Sequence, residues 1–173
     1  YHVIDHLSQQ PTTEKRNVLV ESARIARGNI KDIKDIDASQ IDGLIIPGGF
    51  GAAKNLSDFA FKGADARVLP EVKGLLESLL AANKPVGAIC IAPATLTKAL
   101  SDKNVEVTIG TDPQPAATIE SMGGTHKVCT VDMIHCDANH KIVTTPAYML
   151  GPGIKDVARG IEKLVNKIVE LAG

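Results

Sequence analysis

The chain has no tryptophan, and only two tyrosines and three phenylalanines among its 173 residues. So few rings leave no stacking platform for nucleobases. Neither sign of charge is in excess, since 19 Lys and Arg face 20 Asp and Glu for a net charge of −1. With no field of one sign, neither nucleic acid nor an anionic membrane surface is expected as a partner. No apolar run approaches the ~20 residues that cross a bilayer. Cysteine is scarce too. Cys90, Cys129 and Cys136 are an odd set whose spacings fit no zinc pattern, which points to free thiols in a reducing compartment and to no metal. The chain opens Tyr1-His2-Val3-Ile4 rather than with methionine, so its start carries no information on targeting.

What is present is ordinary for a globular protein, with 44% hydrophobic and 23% charged residues. Without internal repeats or low-complexity linkers, residues 1–173 are expected to form one domain. Helical spacing over 16–27 places Val18, Leu19, Ser22, Ile25 and Ala26 on one face, stopped by Gly28. Leu44-Ile45-Ile46 is a short apolar run ending in Pro47-Gly48-Gly49, a buried strand entering a loop. Residues 70–82 form an amphipathic helix with Pro70 and Glu71 in its first turn. A second buried strand over 85–89 runs through Cys90 into a helix over 92–100. The remaining expectations are a strand over 105–109, a helix over 116–122 stopped by Gly123-Gly124, and strand-like stretches over 126–131 and 133–136. Residues 137–140 then turn the chain into a hairpin strand over 141–145. Residues 154–171 form a long helix whose apolar face is Ile154, Val157, Ile161, Leu164, Val165, Ile168 and Leu171. Alternating strands and helices with short central strands predict an α/β fold, three-layered, with a mostly parallel sheet between helices.

Cys90 ends an apolar strand one or two residues before a helix, among small residues and with Pro93 in the first helical turn. That is the setting of a nucleophile elbow, although the literal G-x-S-x-G pattern is absent. Helix amides facing the sulfur favour its thiolate. The competing reading is a buried structural cysteine. Glycines after a strand, as in residues 47–56, turn backbone N–H groups inward to receive an anion or a developing oxyanion. Lys54 stands where a third glycine of G-x-G-x-x-G would be and no G-K-[ST] follows, so the loop is not read as a phosphate cradle. A plain surface loop is the alternative. His2, His6, His135 and His140 are read as solvated or structural. His126, after Gly123-Gly124, is the one histidine placed to approach the carboxyl ends of the sheet strands. Cys129 and Cys136 are read as packing residues inside strands.

Residues 45–49, 53–57 and 88–93 resemble the parkinsonism-associated deglycase and PfpI superfamily, also called class I glutamine amidotransferase-like. Residues 16–19, 48–56 and 144–147 resemble its ElbB branch of bacterial glyoxalase-like proteins and their often mitochondrial relatives. The resemblance implies a flavodoxin-like fold, Cys90 as nucleophile, and the backbone N–H groups of Gly49 and Ile91 as oxyanion hole. It implies a small dicarbonyl substrate such as glyoxal or methylglyoxal, no cofactor, a homodimer, and a mitochondrial or cytoplasmic location. Relatives also carry a first strand and helix, absent here, whose loop supplies a Glu to the cysteine; without it the fragment is expected to be poorly stable unless another chain covers the gap. The histidine that many members use falls near Gly110-Thr111, which leaves His126 as the candidate base. Glutaminases carry His-Pro-Glu where this chain has Thr145-Pro146-Ala147. The alternatives are a redox-responsive cysteine on a binding or chaperone-like scaffold and, disfavoured by Thr145 and Ala147, an amidotransferase subunit.

Overall fold

A computed structural model describes residues 2–151 and 153–173. Its contacts gather into two compact units, Tyr1–Ile36 and Asp37–Gly173. In the first, strands β1 (Ile4–Asp5) and β2 (Gln10–Pro11) pair antiparallel. The Asp5 carboxylate accepts the Leu7 and Ser8 N–H groups at 2.8 and 3.2 Å and closes the turn between them. Helix α1 (Val18–Ala26) starts where the Asn17 side chain accepts the Val20 N–H and ends at left-handed Arg27. No residue of α1 is buried, so its apolar spacing does not mark a core face.

The second unit is built on a four-stranded sheet in the order β3 (Leu44–Ile46), β4 (Val86–Ile89), β8 (Ile142–Thr145), β7 (His135–Asp137). The first three strands are parallel, and β7 is an antiparallel edge made by the expected hairpin. Between β3 and β4 come α2 (Phe59–Lys62) and α3 (Pro70–Ala81). Helix α4 (Ala92–Ala99) follows β4, and α5 (Pro113–Ser121) follows β5 (Glu106–Val107). A short strand β6 (Thr125–His126) pairs parallel with β5 as a separate ladder. The chain closes with α6 (Ile154–Ala172).

Alternation along β4 decides which helix covers which face. A Cβ on Gly87 would lie 3.0 Å from a Leu164 methyl and 3.3 Å from an Ile168 side chain, so Gly87 and Ile89 face α6. Val86 and Ala88, both fully buried, face the opposite side, and α3 and α4 also pack on β4. Helices on both faces of a mostly parallel sheet make this an α/β, flavodoxin-like architecture.

Several boundaries differ from expectation. The strand over 105–109 shrinks to Glu106–Val107, although Val105, Thr108 and Ile109 are buried as well. Residues 127–134 belong to no strand, so Cys129 sits in a loop while Cys136 lies in β7. Helix α5 starts three residues before the expected Ala116, because the Asp112 carboxylate caps it at 2.9 Å and prolines fit its first turn. On α6, Val157, Leu164 and Ile168 are buried and Ile161 and Leu171 pack beside them. Ile154 and Val165 do not join the core, being 78% and 38% exposed. Val165 lies one residue, some 100° around the helix, from the Leu164 seam.

Candidate active site

Cys90 occupies the single turn between β4 and α4 with φ +62°, a left-handed backbone that a side-chain-bearing residue adopts only under constraint. The constraint is visible on two sides. The Cys90 N–H donates to the Thr145 carbonyl at 3.0 Å, prolonging the β4–β8 ladder past the end of β4. The side chain is half-buried and packs against the cluster of Ile89, Val143, Ala147, Val157, Leu164 and Ile168. A strand that ends in a left-handed residue and enters a helix at once has the backbone geometry of a nucleophile elbow.

The glycine loop meets this elbow directly. A Cβ on Gly48, whose φ is +90°, would stand 2.5 Å from the Ile89 carbonyl oxygen and 3.1 Å from Cys90 Cβ. Only glycine lets the loop approach so closely. Gly49, at φ +70°, has open space where its Cβ would be, so conformation rather than room calls for glycine there. Gly49 and Phe50 begin the helical turn that widens into a π-helix over Gly51–Leu56, and Ile91 directly precedes α4. The first N–H groups of a helix have no acceptor within it. Both donors expected for an oxyanion hole therefore come from helix starts, on two segments that touch at Gly48 and Cys90.

Two buried hydroxyls join the same segments. Ser57 Oγ lies 3.1 Å from Thr95 Oγ1, and both reach the Ala52 carbonyl, at 2.9 and 3.3 Å. Ser57 closes the 53–57 stretch that carries the resemblance, but neither hydroxyl was expected at the site. The available signal was a threonine inside the apolar stretch Ala92–Leu100, since a buried hydroxyl implies a partner.

Cys90 is a free thiol, and among the described residues no group of three or more His, Cys, Asp or Glu is placed to hold a metal ion. His126 lies in β6, and its Nε2 accepts the Ile109 N–H at 3.3 Å. Burial pushes its pKa below the ordinary imidazole value, with Glu120 opposing and His135 adding to the effect. Protonation would set two N–H groups head to head, so the ring is held neutral with its lone pair already engaged. His135 pairs with Glu106 at 3.1 Å, and His140 Nδ1 with Asp137 at 2.8 Å, both structural placements. Burial pushes the Cys129 and Cys136 thiols up, in keeping with packing roles. At the position of the glutaminase His-Pro-Glu, Thr145 donates its hydroxyl to the Met133 carbonyl at 2.8 Å and Ala147 is buried.

Residues 28–132 match the DJ-1/PfpI family. The chain belongs to that family. It is 44% identical over 182 residues to human glutamine amidotransferase-like class 1 domain-containing protein 3, mitochondrial, covering 99% of this chain and 67% of that one. The ES1 protein homolog, mitochondrial, of Rattus norvegicus is 43% identical, with 99% and 68% covered. Among solved structures, the isoprenoid biosynthesis protein with amidotransferase-like domain from Ehrlichia chaffeensis superposes with a TM-score of 0.90. It is 39% identical, over 99% of this chain and 78% of that chain. The chain thus spans about two thirds of the length of its two mammalian relatives. The last of these similarities confirms the class I amidotransferase-like fold. No helix among the described residues is long and apolar enough to cross a membrane.

Proposed function

We propose that this DJ-1/PfpI family member is a cofactor-independent, glyoxalase-like enzyme that converts small 2-oxoaldehydes to 2-hydroxy acids. The observation that carries the reading is the contact of Gly48 with Cys90, which brings a set of helix-start N–H groups to the side of a strained nucleophile elbow. The Cys90 sulfur adds to the aldehyde carbon of glyoxal, and the C–S bond forms as the carbonyl pair moves to oxygen. The N–H groups of Gly49 and Ile91 receive that oxyanion. The hydrogen on the former aldehyde carbon then transfers to the neighbouring carbonyl carbon. The first carbon is oxidised to a thioester and the second reduced to an alcohol, so no external oxidant or reductant is consumed. Water cleaves the thioester, and glycolate leaves with the thiol restored.

His126 is the expected base. To act as one, it must release the Ile109 N–H from the lone pair that would take the proton. The substrate is a free small molecule, and the working unit in this reading is a homodimer. The names of the human and rat relatives both carry the word mitochondrial, which supports that compartment over the cytoplasm. Glutamine hydrolysis is disfavoured, because Thr145 and Ala147 supply neither imidazole nor carboxylate.

Cys90 is a free thiol and only half-buried, which supports a second reading, a thiol that oxidises to sulfenic and sulfinic acid as a sensor. One experiment separates the two. The protein and its Cys90→Ser variant are incubated with glyoxal or methylglyoxal, with hydroxy-acid formation followed, and separately with peroxide, with the mass of the Cys90 peptide followed. Hydroxy acid from the wild type alone supports the enzyme. Oxidation of Cys90 without any turnover supports the sensor.

A further inference from the structure

We infer that the buried Ser57–Thr95 hydroxyl pair is a positioning device that fixes the glycine-loop amides relative to the Cys90 turn. The role in turnover rests on the proposed reaction at Cys90. The Gly49 donor belongs to the loop after β3, and the Ile91 donor to the elbow after β4. A backbone N–H cannot be re-aimed by a rotamer change, so the spacing of the two donors depends on how the segments are fastened together. The contact of Gly48 with Ile89 and Cys90 supplies one point of attachment. The turn after the loop also packs on α4, with Ala52 and Ala53 buried, but apolar contact is non-directional, so a second fixed point has to be a hydrogen bond.

The hydroxyl pair supplies the second point. Thr95 is fully buried on α4, four residues beyond Ile91 and so on the same face of the helix. Ser57, also buried, closes the π-helical turn Gly51–Leu56. Each hydroxyl has one proton to give. At 2.9 Å the Ser57 hydroxyl donates to the Ala52 carbonyl, and the Thr95 hydroxyl, 3.1 Å from Ser57 Oγ and 3.3 Å from the same carbonyl, gives its proton to one or the other. The Phe59 N–H, 3.4 Å away, adds a weak third contact to the same oxygen. π-Helical turns are rare and gather at functional sites. Here the Ala52 carbonyl of that turn is tied through two side chains to the helix that starts at the nucleophile. Water has no access to replace these bonds, so losing one leaves a buried polar group unsatisfied.

The test uses Ser57→Ala, Thr95→Val and Thr95→Ser in the full chain. With glyoxal, S57A and T95V are expected to lower kcat on the order of tenfold, with KM within about twofold of the wild type. Thr95→Ser, which keeps the hydroxyl, restores kcat. Alkylation of Cys90 by iodoacetamide forms no oxyanion and should be unchanged in all three variants. Amide hydrogen exchange across residues 48–56 should rise in S57A and T95V while peptides from β4 and α6 hold their protection. Unchanged kcat in both variants, or a matching fall in alkylation rate, overturns the inference. If the wild type forms no hydroxy acid, the reading of the reaction fails separately, and exchange decides the fastening. Raised exchange over 48–56 upholds it, and unchanged protection overturns it.

Discussion

A methyl group added at Gly48 would stand 2.5 Å from a carbonyl oxygen and 3.1 Å from Cys90 Cβ, in a backbone at φ +90°. Gly48→Ala is therefore expected to cost about 1–3 kcal/mol of stability from backbone strain alone and to push the loop off the elbow. Gly49→Ala meets no neighbour, so it should cost only about 1 kcal/mol for its left-handed backbone and keep its N–H in place. Urea denaturation and Cys90 alkylation of the two variants check this contrast; equal effects at both positions would contradict it. Cys90 and these glycines were legible in the sequence because a strand ending among small residues dictates its own turn. Ser57 and Thr95 were not, because what marks them is each other, and they stand 38 positions apart in the chain.

Asp137 shows how a single side chain joins elements that the sequence presents separately. Read as a turn residue, it is 2% exposed, and its carboxylate accepts the Glu106 N–H of β5 at 2.9 Å. It also accepts the Asn139 and His140 N–H groups of the hairpin turn and pairs with the His140 ring. Burial disfavours its charge, but these donors outweigh burial and hold the carboxyl below the usual carboxylate range. Asp137→Ala should cost about 1–3 kcal/mol, since it strands several part-buried donors at once. A carboxyl with a lowered folded pKa adds stability above the unfolded value of about 3.9, and that stability is lost as pH falls through the folded value. His126 acts in a higher window. Its folded pKa lies below the unfolded value of about 6.5, so stability is full above that pH and declines as pH falls from there toward the folded value. Denaturation midpoints from pH 7.5 to 3 should show both losses, and His126→Gln should flatten the upper one. The two-residue ladder of β5 and β6 explains why these strands were drawn too long. Val105 and Ile109 beside β5 are buried without joining its ladder, and Val128 beyond β6 is exposed, so an apolar residue there marks core or surface rather than strand.

For the larger unit, stability rests on how α6 lies across the sheet. Gly87 leaves room for Leu164, which is fully buried. Leu164→Ala should cost about 3–5 kcal/mol and Gly87→Ala about 1–3 kcal/mol, one by a cavity and the other by overpacking. The double variant should cost less than the sum, because the added methyl enters the vacated space. Additive losses in denaturant would place the two residues apart. The layered α/β arrangement was legible because period-2 and period-3.6 apolar patterns alternate along the chain. The apolar spacing of α1 did not translate into burial, since spacing shows that a face exists and not what covers it. At the scale of the molecule, the proposed reaction needs one thiol, Cys90, to turn over dicarbonyls. The direct measurement is glycolate formation from glyoxal by the wild type and by Cys90→Ser at equal concentration and matched folded fraction. Steady glycolate release by the wild type is expected, with none above background from the variant. No glycolate from the wild type, or equal release by both, would contradict it.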